Sequence, residues 1–179
     1  MKLEVFRNYI KSIPQNGSVL EIGCGMGDIL RKILEIRSDL KIYCIDIQDV
    51  KNFLPAGVSF VIADAEEKLP FEENTFDGVV CLHVLEHLQK PQKTAEEVFR
   101  ILKKGGSVLA ETPHWITTFK PFGFNFYDDH THVRPHTVGS LSGIFSKFSN
   151  ITSKRVVSIH SAFSKKGFLR SAVYIRAEK

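Results

Sequence analysis

Short apolar runs rich in β-branched residues alternate along this chain with stretches in which apolar side chains return every three or four positions. The first pattern fits buried strands and the second amphipathic helices. Strands are expected near 18–22, 41–46, 58–63, 77–82 and 106–112, with two more near 151–160 and 170–178 joined by a turn at Ser164-Lys165-Lys166-Gly167. Helices are expected near 1–13, 27–37 and 91–103, a short one near 48–53, and one near 137–148 that places Leu141, Ile144, Phe145 and Phe148 on one face. The 91–103 helix carries the clearest end signals. Pro91 suits a first turn, and Lys103 and Lys104 precede Gly105-Gly106, as the helix dipole and a C-terminal glycine favour. Alternating strands and helices imply an α/β fold with a parallel sheet covered on both faces.

Beyond Thr112 the texture changes. Residues 113–135 are rich in aromatics, histidine, glycine and proline, too long for an ordinary connection, and are expected to form a substrate-side loop or lid. The whole of 1–179 is expected to be a single domain.

The run Val19-Leu20-Glu21-Ile22-Gly23-Cys24-Gly25-Met26-Gly27-Asp28 carries the most specific chemistry. An apolar strand that ends in glycines and turns into a helix brings backbone close to a ligand. A dinucleotide fingerprint needs Gly-x-Gly-x-x-Gly opening a helix that receives pyrophosphate. Here the spacing is Gly-x-Gly-x-Gly and Asp28 takes the last place. Glu21 and Asp28 oppose a polyanion and suit an ammonium or sulfonium, so the ligand implied is nucleoside-like and positively charged.

Ligand contacts in such a sheet come from the carboxyl ends of successive strands. Asp46 ends the second strand, where an acid accepts hydrogen bonds from ribose hydroxyls. Asp64-Ala65 ends the third, placed for an adenine edge, and the fourth delivers His83. His87 lies four residues on and would share a helix face with it.

Composition narrows the class. The chain has 179 residues, 43% of them hydrophobic and 25% charged, enough for one domain with a real core. Leu3, Phe6, Ile10 and Ile13 lie on one side of the first helix with charges between them, unlike a signal sequence. No stretch approaches a membrane span. Cys24, Cys44 and Cys81 are far apart and suggest neither disulfides nor a zinc knuckle, so a cytoplasmic setting is expected. The net charge of +4 comes from scattered basic residues, which argues for solubility, not a nucleic-acid surface.

Taken together, the chain resembles a class I S-adenosylmethionine-dependent methyltransferase of the small, widespread type. The resemblance runs in motif order over 18–112: Leu20-Glu21-Ile22-Gly23-Cys24-Gly25-Met26-Gly27, Asp46-Ile47, Ala63-Asp64-Ala65-Glu66 with Leu69-Pro70-Phe71, Phe76 to Leu88, and Leu102 to Leu109. It implies a doubly wound, mostly parallel seven-stranded Rossmann-like sheet with a C-terminal antiparallel hairpin, and S-adenosylmethionine as cofactor with S-adenosylhomocysteine as product. The cofactor residues implied are Glu21, Gly23, Cys24, Gly25 and Gly27 at the turn, Asp46 and Ile47 at ribose and adenine, Asp64 and Ala65 at the adenine edge, and Leu82, His83 and His87 by the methionine tail.

Methyl transfer from a sulfonium is an in-line displacement that depends on positioning. For an oxygen nucleophile a histidine suits as base. The densest polar cluster is Tyr127-Asp128-Asp129-His130-Thr131-His132-Val133-Arg134-Pro135-His136, so His130 or His132 is expected as base or acceptor-orienting group, with Asp129 fixing a ring tautomer. The cluster offers metal-capable side chains, yet its spacing matches no ligand motif, and no metal is expected. From Asp128 to His136 the segment is similar to one in methyltransferases of bacterial cell-surface polysaccharide synthesis, which implies a sugar oxygen as acceptor and Arg134 as partner for an acidic group. Trp115, Phe119, Phe122, Phe124 and Phe126 would instead suit a small aromatic acceptor such as a quinone precursor.

The acceptor is therefore expected to be a small molecule or glycan methylated at oxygen, with no nucleic-acid or membrane partner, by a monomer or homodimer. A nicotinamide oxidoreductase is opposed by Glu21 and the glycine spacing. An amino-group nucleic-acid methyltransferase is opposed by Leu82-His83-Val84-Leu85, where such enzymes carry Asn/Asp-Pro-Pro-aromatic. A non-catalytic S-adenosylmethionine-binding domain that activates a partner is the remaining alternative.

Overall fold

A computed structural model of the chain describes residues 3–119, 125–159 and 169–179. The elements in order are α1 (Leu3–Ser12), β1 (Ser18–Ile22), α2 (Asp28–Ile36), β2 (Lys41–Asp46), β3 (Ser59–Ile62), β4 (Phe76–Leu82), α3 (Pro91–Ile101), β5 (Leu102–Pro113), α4 (Val138–Ile144), β6 (Ser149–Ile159) and β7 (Leu169–Glu178). Single 3-10 turns lie at Lys51–Phe53, Leu85–His87, Trp115–Phe119 and Phe126–Asp128. The expected turn at Ser164-Gly167, and Phe122 and Phe124, lie outside the described residues.

The strands form one seven-stranded sheet in the order β3-β2-β1-β4-β5-β7-β6. β1 to β5 pair in parallel, and β7 runs antiparallel to both β5 and β6. Alternation along each strand divides the core. Val19, Val80 and Leu109 face α1 and α2, whereas Leu20, Ile22, Val79, Cys81, Val108 and Ala110 face α3 and α4. Central strands buried on both faces are apolar at both parities, as the sequence shows.

Two polar devices hold the amino-terminal end of the sheet. Tyr9 of α1 is buried, and its hydroxyl accepts from the Val79 amide (3.0 Å) and donates to the Ser107 carbonyl (2.7 Å). It sits beside the register shift between Phe76 and Gly78, and a side chain at Gly78 would meet Ile13 at 2.5 Å. Asp77 Oδ2 accepts from the Ser18 amide and from Lys103 Nζ, both at 2.8 Å, tying β1 and β5 to β4.

Three expected elements are shorter than the pattern indicates. The 48–53 helix is only the 3-10 turn Lys51–Phe53. α3 ends at Ile101, not 103, because Leu102 already pairs with Phe76 and Lys103 is held by Asp77. α4 ends at Ile144, four residues short of Phe148, although Phe145 and Phe148 still pack in the core.

Candidate active site

The glycine turn leaves β1 with its backbone pinned to β2: the Gly23 and Cys24 amides both donate to the Ile45 carbonyl, at 2.9 and 3.2 Å. Gly23, Gly25 and Gly27 have φ of 73°, 47° and 78°, a region that costs other residues about 1–2 kcal/mol. Their surroundings differ. A Cβ at Gly23 would strike Val84 at 2.4 Å and one at Gly27 would crowd Leu54 and Pro55 at 3.2 Å, whereas at Gly25 no described heavy atom lies within 4 Å. Gly23 and Gly27 are therefore needed for packing, and Gly25 presents bare backbone outward.

Carboxylates ring this turn. Asp46 accepts the Gly25 amide on Oδ2 (2.9 Å) and the Gln48 amide on Oδ1 (3.1 Å), so the acid expected at ribose also braces the loop. Glu21 is 2% exposed, and its Oε2 has no hydrogen-bond partner among the described residues. Burial, together with Cys24, Asp46 and Asp28 nearby, raises its pKa to about 9. A cation brought to this oxygen would restore the charge. Asp28 contributes less than its position suggests, because it is exposed and paired with Arg31 at 3.3 Å. The pKa of the Cys24 thiol is pushed upward by its hydrogen bond to Cys44 and by burial, and the three cysteines are buried and form no disulfide.

Farther along the rim, Ile47 is 67% exposed, an apolar surface beside Asp46 for a flat ring. Asp64 accepts the Glu66 amide at 2.8 Å, and the Ala65 carbonyl accepts from Thr94 Oγ1 at 2.9 Å, so this pair also anchors the chain entering α3. Leu82 is half-buried and lies opposite Glu111 in the sheet.

His83 leaves β4 in a left-handed conformation, φ 58°. Its amide donates to the Glu111 carbonyl (2.8 Å), and its ring lies between two buried carboxylates, Glu86 (Nδ1 to Oε1, 3.3 Å) and Glu111 (Nε2 to Oε1, 3.4 Å). Burial alone would lower its pKa, but the hydrogen bonds to Glu111 and Glu86 prevail and raise it to about 9. His83 therefore belongs with Glu86 and Glu111, and the left-handed turn separates it from His87 instead of placing both on one helix face.

His87 ends the Leu85–His87 turn and meets the histidine-rich loop before α4. Its Nδ1 is 2.8 Å from Thr131 Oγ1, and its ring lies 4.7 Å from that of His132. The loop is fixed there by the Val133 amide on the Glu86 carbonyl (2.8 Å). His132 bonds the Phe126 carbonyl through Nδ1 (2.6 Å) and stacks on the Phe126 ring at 4.4 Å. Asp129 Oδ1 takes the Thr131 amide (2.9 Å) and hydroxyl (2.6 Å), and its Oδ2 is 3.7 Å from His132 Nε2. Asp129 thus serves the turn first and faces His132 at a longer distance. His130 is exposed at the apex. Arg134 reaches the Gln89 carbonyl at 3.3 Å, and Trp115 and Tyr127 present exposed rings while Phe126 is buried.

Glu86, Glu111 and Thr131 were not singled out by sequence reasoning. Glu111 had a signal, a lone carboxylate closing the apolar run Val108-Leu109-Ala110 at the strand end. Thr131 had none, since its role depends on the loop docking on His87.

A parallel sheet in this order, a glycine turn bordered by carboxylates at its carboxyl edge and an antiparallel closing pair define the architecture of S-adenosylmethionine-dependent methyltransferases. Residues 20–110 match the family model described as a methyltransferase domain, and the chain belongs to that family. It is 32% identical over 108 residues to the mitochondrial 2-methoxy-6-polyprenyl-1,4-benzoquinol methylase of Caenorhabditis elegans, covering 54% of this chain and 38% of that protein. It is 26% identical over 105 residues to the tRNA U34 carboxymethyltransferase of Nautilia profundicola, covering 55% of this chain and 35% of the relative. The chain thus spans less than half the length of these two curated relatives. Among solved structures, a SAM-dependent methyltransferase from Archaeoglobus fulgidus shares the fold with a TM-score of 0.74 at 22% identity, covering 98% of this chain and 92% of its own. Among the described residues, no helix is long and apolar enough to cross a membrane.

Proposed function

We propose that this domain transfers the methyl group of S-adenosylmethionine to an oxygen of a small-molecule or glycan acceptor. The observation that carries the reading is the docking of the histidine-rich loop onto the turn after β4, next to the buried carboxylates at the strand ends. The donor and acceptor sides are thereby joined by the Glu86–Val133 and His87–Thr131 hydrogen bonds. On the donor side Gly25 offers open backbone, Glu21 and Asp46 offer carboxylates to ammonium and ribose, Ile47 with Asp64-Ala65 flanks adenine, and Leu82, His83 and His87 border the methionine tail.

In the transfer, an oxygen lone pair of the acceptor forms the new O–CH3 bond while the S–CH3 pair returns to sulfur, leaving S-adenosylhomocysteine. The acceptor proton passes to a histidine of the loop or to solvent. His130 and His132 are the groups proposed for that role, with Asp129 aiding His132. His132 acts through Nε2, because Nδ1 is engaged by the Phe126 carbonyl.

Neighbouring families differ in acceptor, so the chemistry is tested directly. Radiolabelled S-adenosylmethionine offered with phenolic, glycan and tRNA acceptors should label an oxygen of the first or second class. Calorimetry on Asp46→Ala should show cofactor affinity reduced by about tenfold or more, the loss of one charge-assisted hydrogen bond. Cofactor binding without transfer to any acceptor would make the chain a non-catalytic binding domain, and label in tRNA alone would overturn the acceptor class.

A further inference from the structure

We propose that Glu86, His87 and His132 form a divalent-cation site of the zinc type, which holds an oxygen of the methyl acceptor. The cation site stands on geometry alone, whereas the bound acceptor rests on the oxygen-transfer reading above.

One ligand-capable atom from each of the three side chains lies within 4.8 Å of the other two. The hydrogen bonds around them set both imidazoles for coordination. His132 Nδ1 faces a carbonyl at 2.6 Å, which only accepts, so Nδ1 carries the proton and Nε2, with Asp129 Oδ2 at the longer distance of 3.7 Å, the lone pair. Thr131 has one hydroxyl proton and gives it to Asp129. Toward His87 it therefore accepts, and His87 also carries its proton on Nδ1 and its lone pair on Nε2. A carbonyl on one ring and a carboxylate-backed hydroxyl on the other are the outer partners that orient metal-binding histidines.

The third ligand supplies an independent sign. Glu86 is 1% exposed, and its Oε2 has no hydrogen-bond partner among the described residues, while Oε1 is occupied by His83. A buried carboxylate oxygen without a partner is costly, and a cation bound beside the two imidazoles satisfies it. Two histidines and one carboxylate are the donor set of catalytic zinc sites that keep a coordination position open. That position takes the acceptor oxygen, and the cation lowers the pKa of an attached hydroxyl; with its Nε2 on the ion, His132 is a ligand in place of the base role given above, and the proton passes to His130 or to solvent. Bonds of about 2.0 Å place tetrahedral ligands about 3.3 Å apart; the loop carrying His132 must therefore draw in by roughly an ångström when the ion binds.

The test uses the full chain without an affinity tag, stripped with chelator and titrated with Co2+ while visible absorption is recorded. One Co2+ per chain should bind with the intense bands of four- or five-fold coordination and be displaced by Zn2+. His87→Ala and His132→Ala should each weaken binding by about 100-fold or more, at or above the upper range for loss of an outer partner of a ligand, with an unchanged circular dichroism spectrum. A spectrum like that of aqueous cobalt, or unchanged affinity in the double variant, overturns the site. Should either variant unfold, zinc X-ray absorption on the unsubstituted chain decides the matter: two imidazoles at about 2.0 Å support it, and their absence overturns it. Cobalt binding with no methyl transfer sinks the enzymatic reading and leaves the site. Transfer that survives chelation, with no cobalt bound, does the reverse.

Discussion

Glu21 separates what a residue type suggests from what its surroundings make of it. Its position at the end of β1 reads from sequence as a negative charge. In the fold it is buried, and its pKa is raised to about 9. An unfolded chain ionises the same carboxyl near 4.5, so between those values the folded state binds an extra proton. Stability therefore falls as pH rises through that window, by at most about 1.4 kcal/mol per pH unit. Glu21→Gln removes this slope. Urea denaturation at pH 5 and pH 8 should show the variant gaining on the unsubstituted protein at the higher pH, and parallel curves would mean that Glu21 is charged in the fold. The placement of Asp46 and the glycines was legible because strand ends and tight turns set it. The Glu86–His83–Glu111 arrangement was not, because it depends on a left-handed residue that places one ring between two different elements.

At the level of elements, the three glycines do different work. Gly23→Ala sets a methyl 2.4 Å from Val84 at φ 73° and should cost roughly 2–4 kcal/mol, the sum of backbone strain and overpacking, seen as a lower thermal midpoint. Gly25→Ala meets nothing within 4 Å, so it should cost about 1 kcal/mol while reducing S-adenosylmethionine affinity in calorimetry far more than it reduces stability. Equal effects on both measures in both variants would contradict this division. Periodicity located α2 and every strand but β5 to within two residues; β5 begins at Leu102 and not 106, because Lys103-Lys104-Gly105-Gly106 carries no apolar pattern. It overran α3 and α4, where register pairing at Leu102 and a turn at Phe145 end the helix before its apolar pattern does.

Across the whole molecule the sheet has a bracing end and a working end. Asp77 and Tyr9 brace the amino-terminal edges of β1, β4 and β5, whereas the unpartnered carboxylate oxygens of Glu21 and Glu86 gather at the carboxyl edges. Asp77→Ala should therefore lower unfolding free energy by about 1–2 kcal/mol through lost hydrogen bonds and leave cofactor affinity within twofold, measured by denaturation and calorimetry on the same preparation. The alternating order of elements made this layout readable from sequence, but the packing of the histidine loop against the β4 turn was not, since it joins segments more than forty residues apart. The Tyr9 hydroxyl has a dynamic consequence as well. The Val79 amide lies in the middle of the sheet yet takes its protection from a side chain of α1. In hydrogen–deuterium exchange that amide should trade its proton at the rate at which α1 lifts away, faster than the Val80 amide beside it, so a single peptide probe reports the undocking of the first helix.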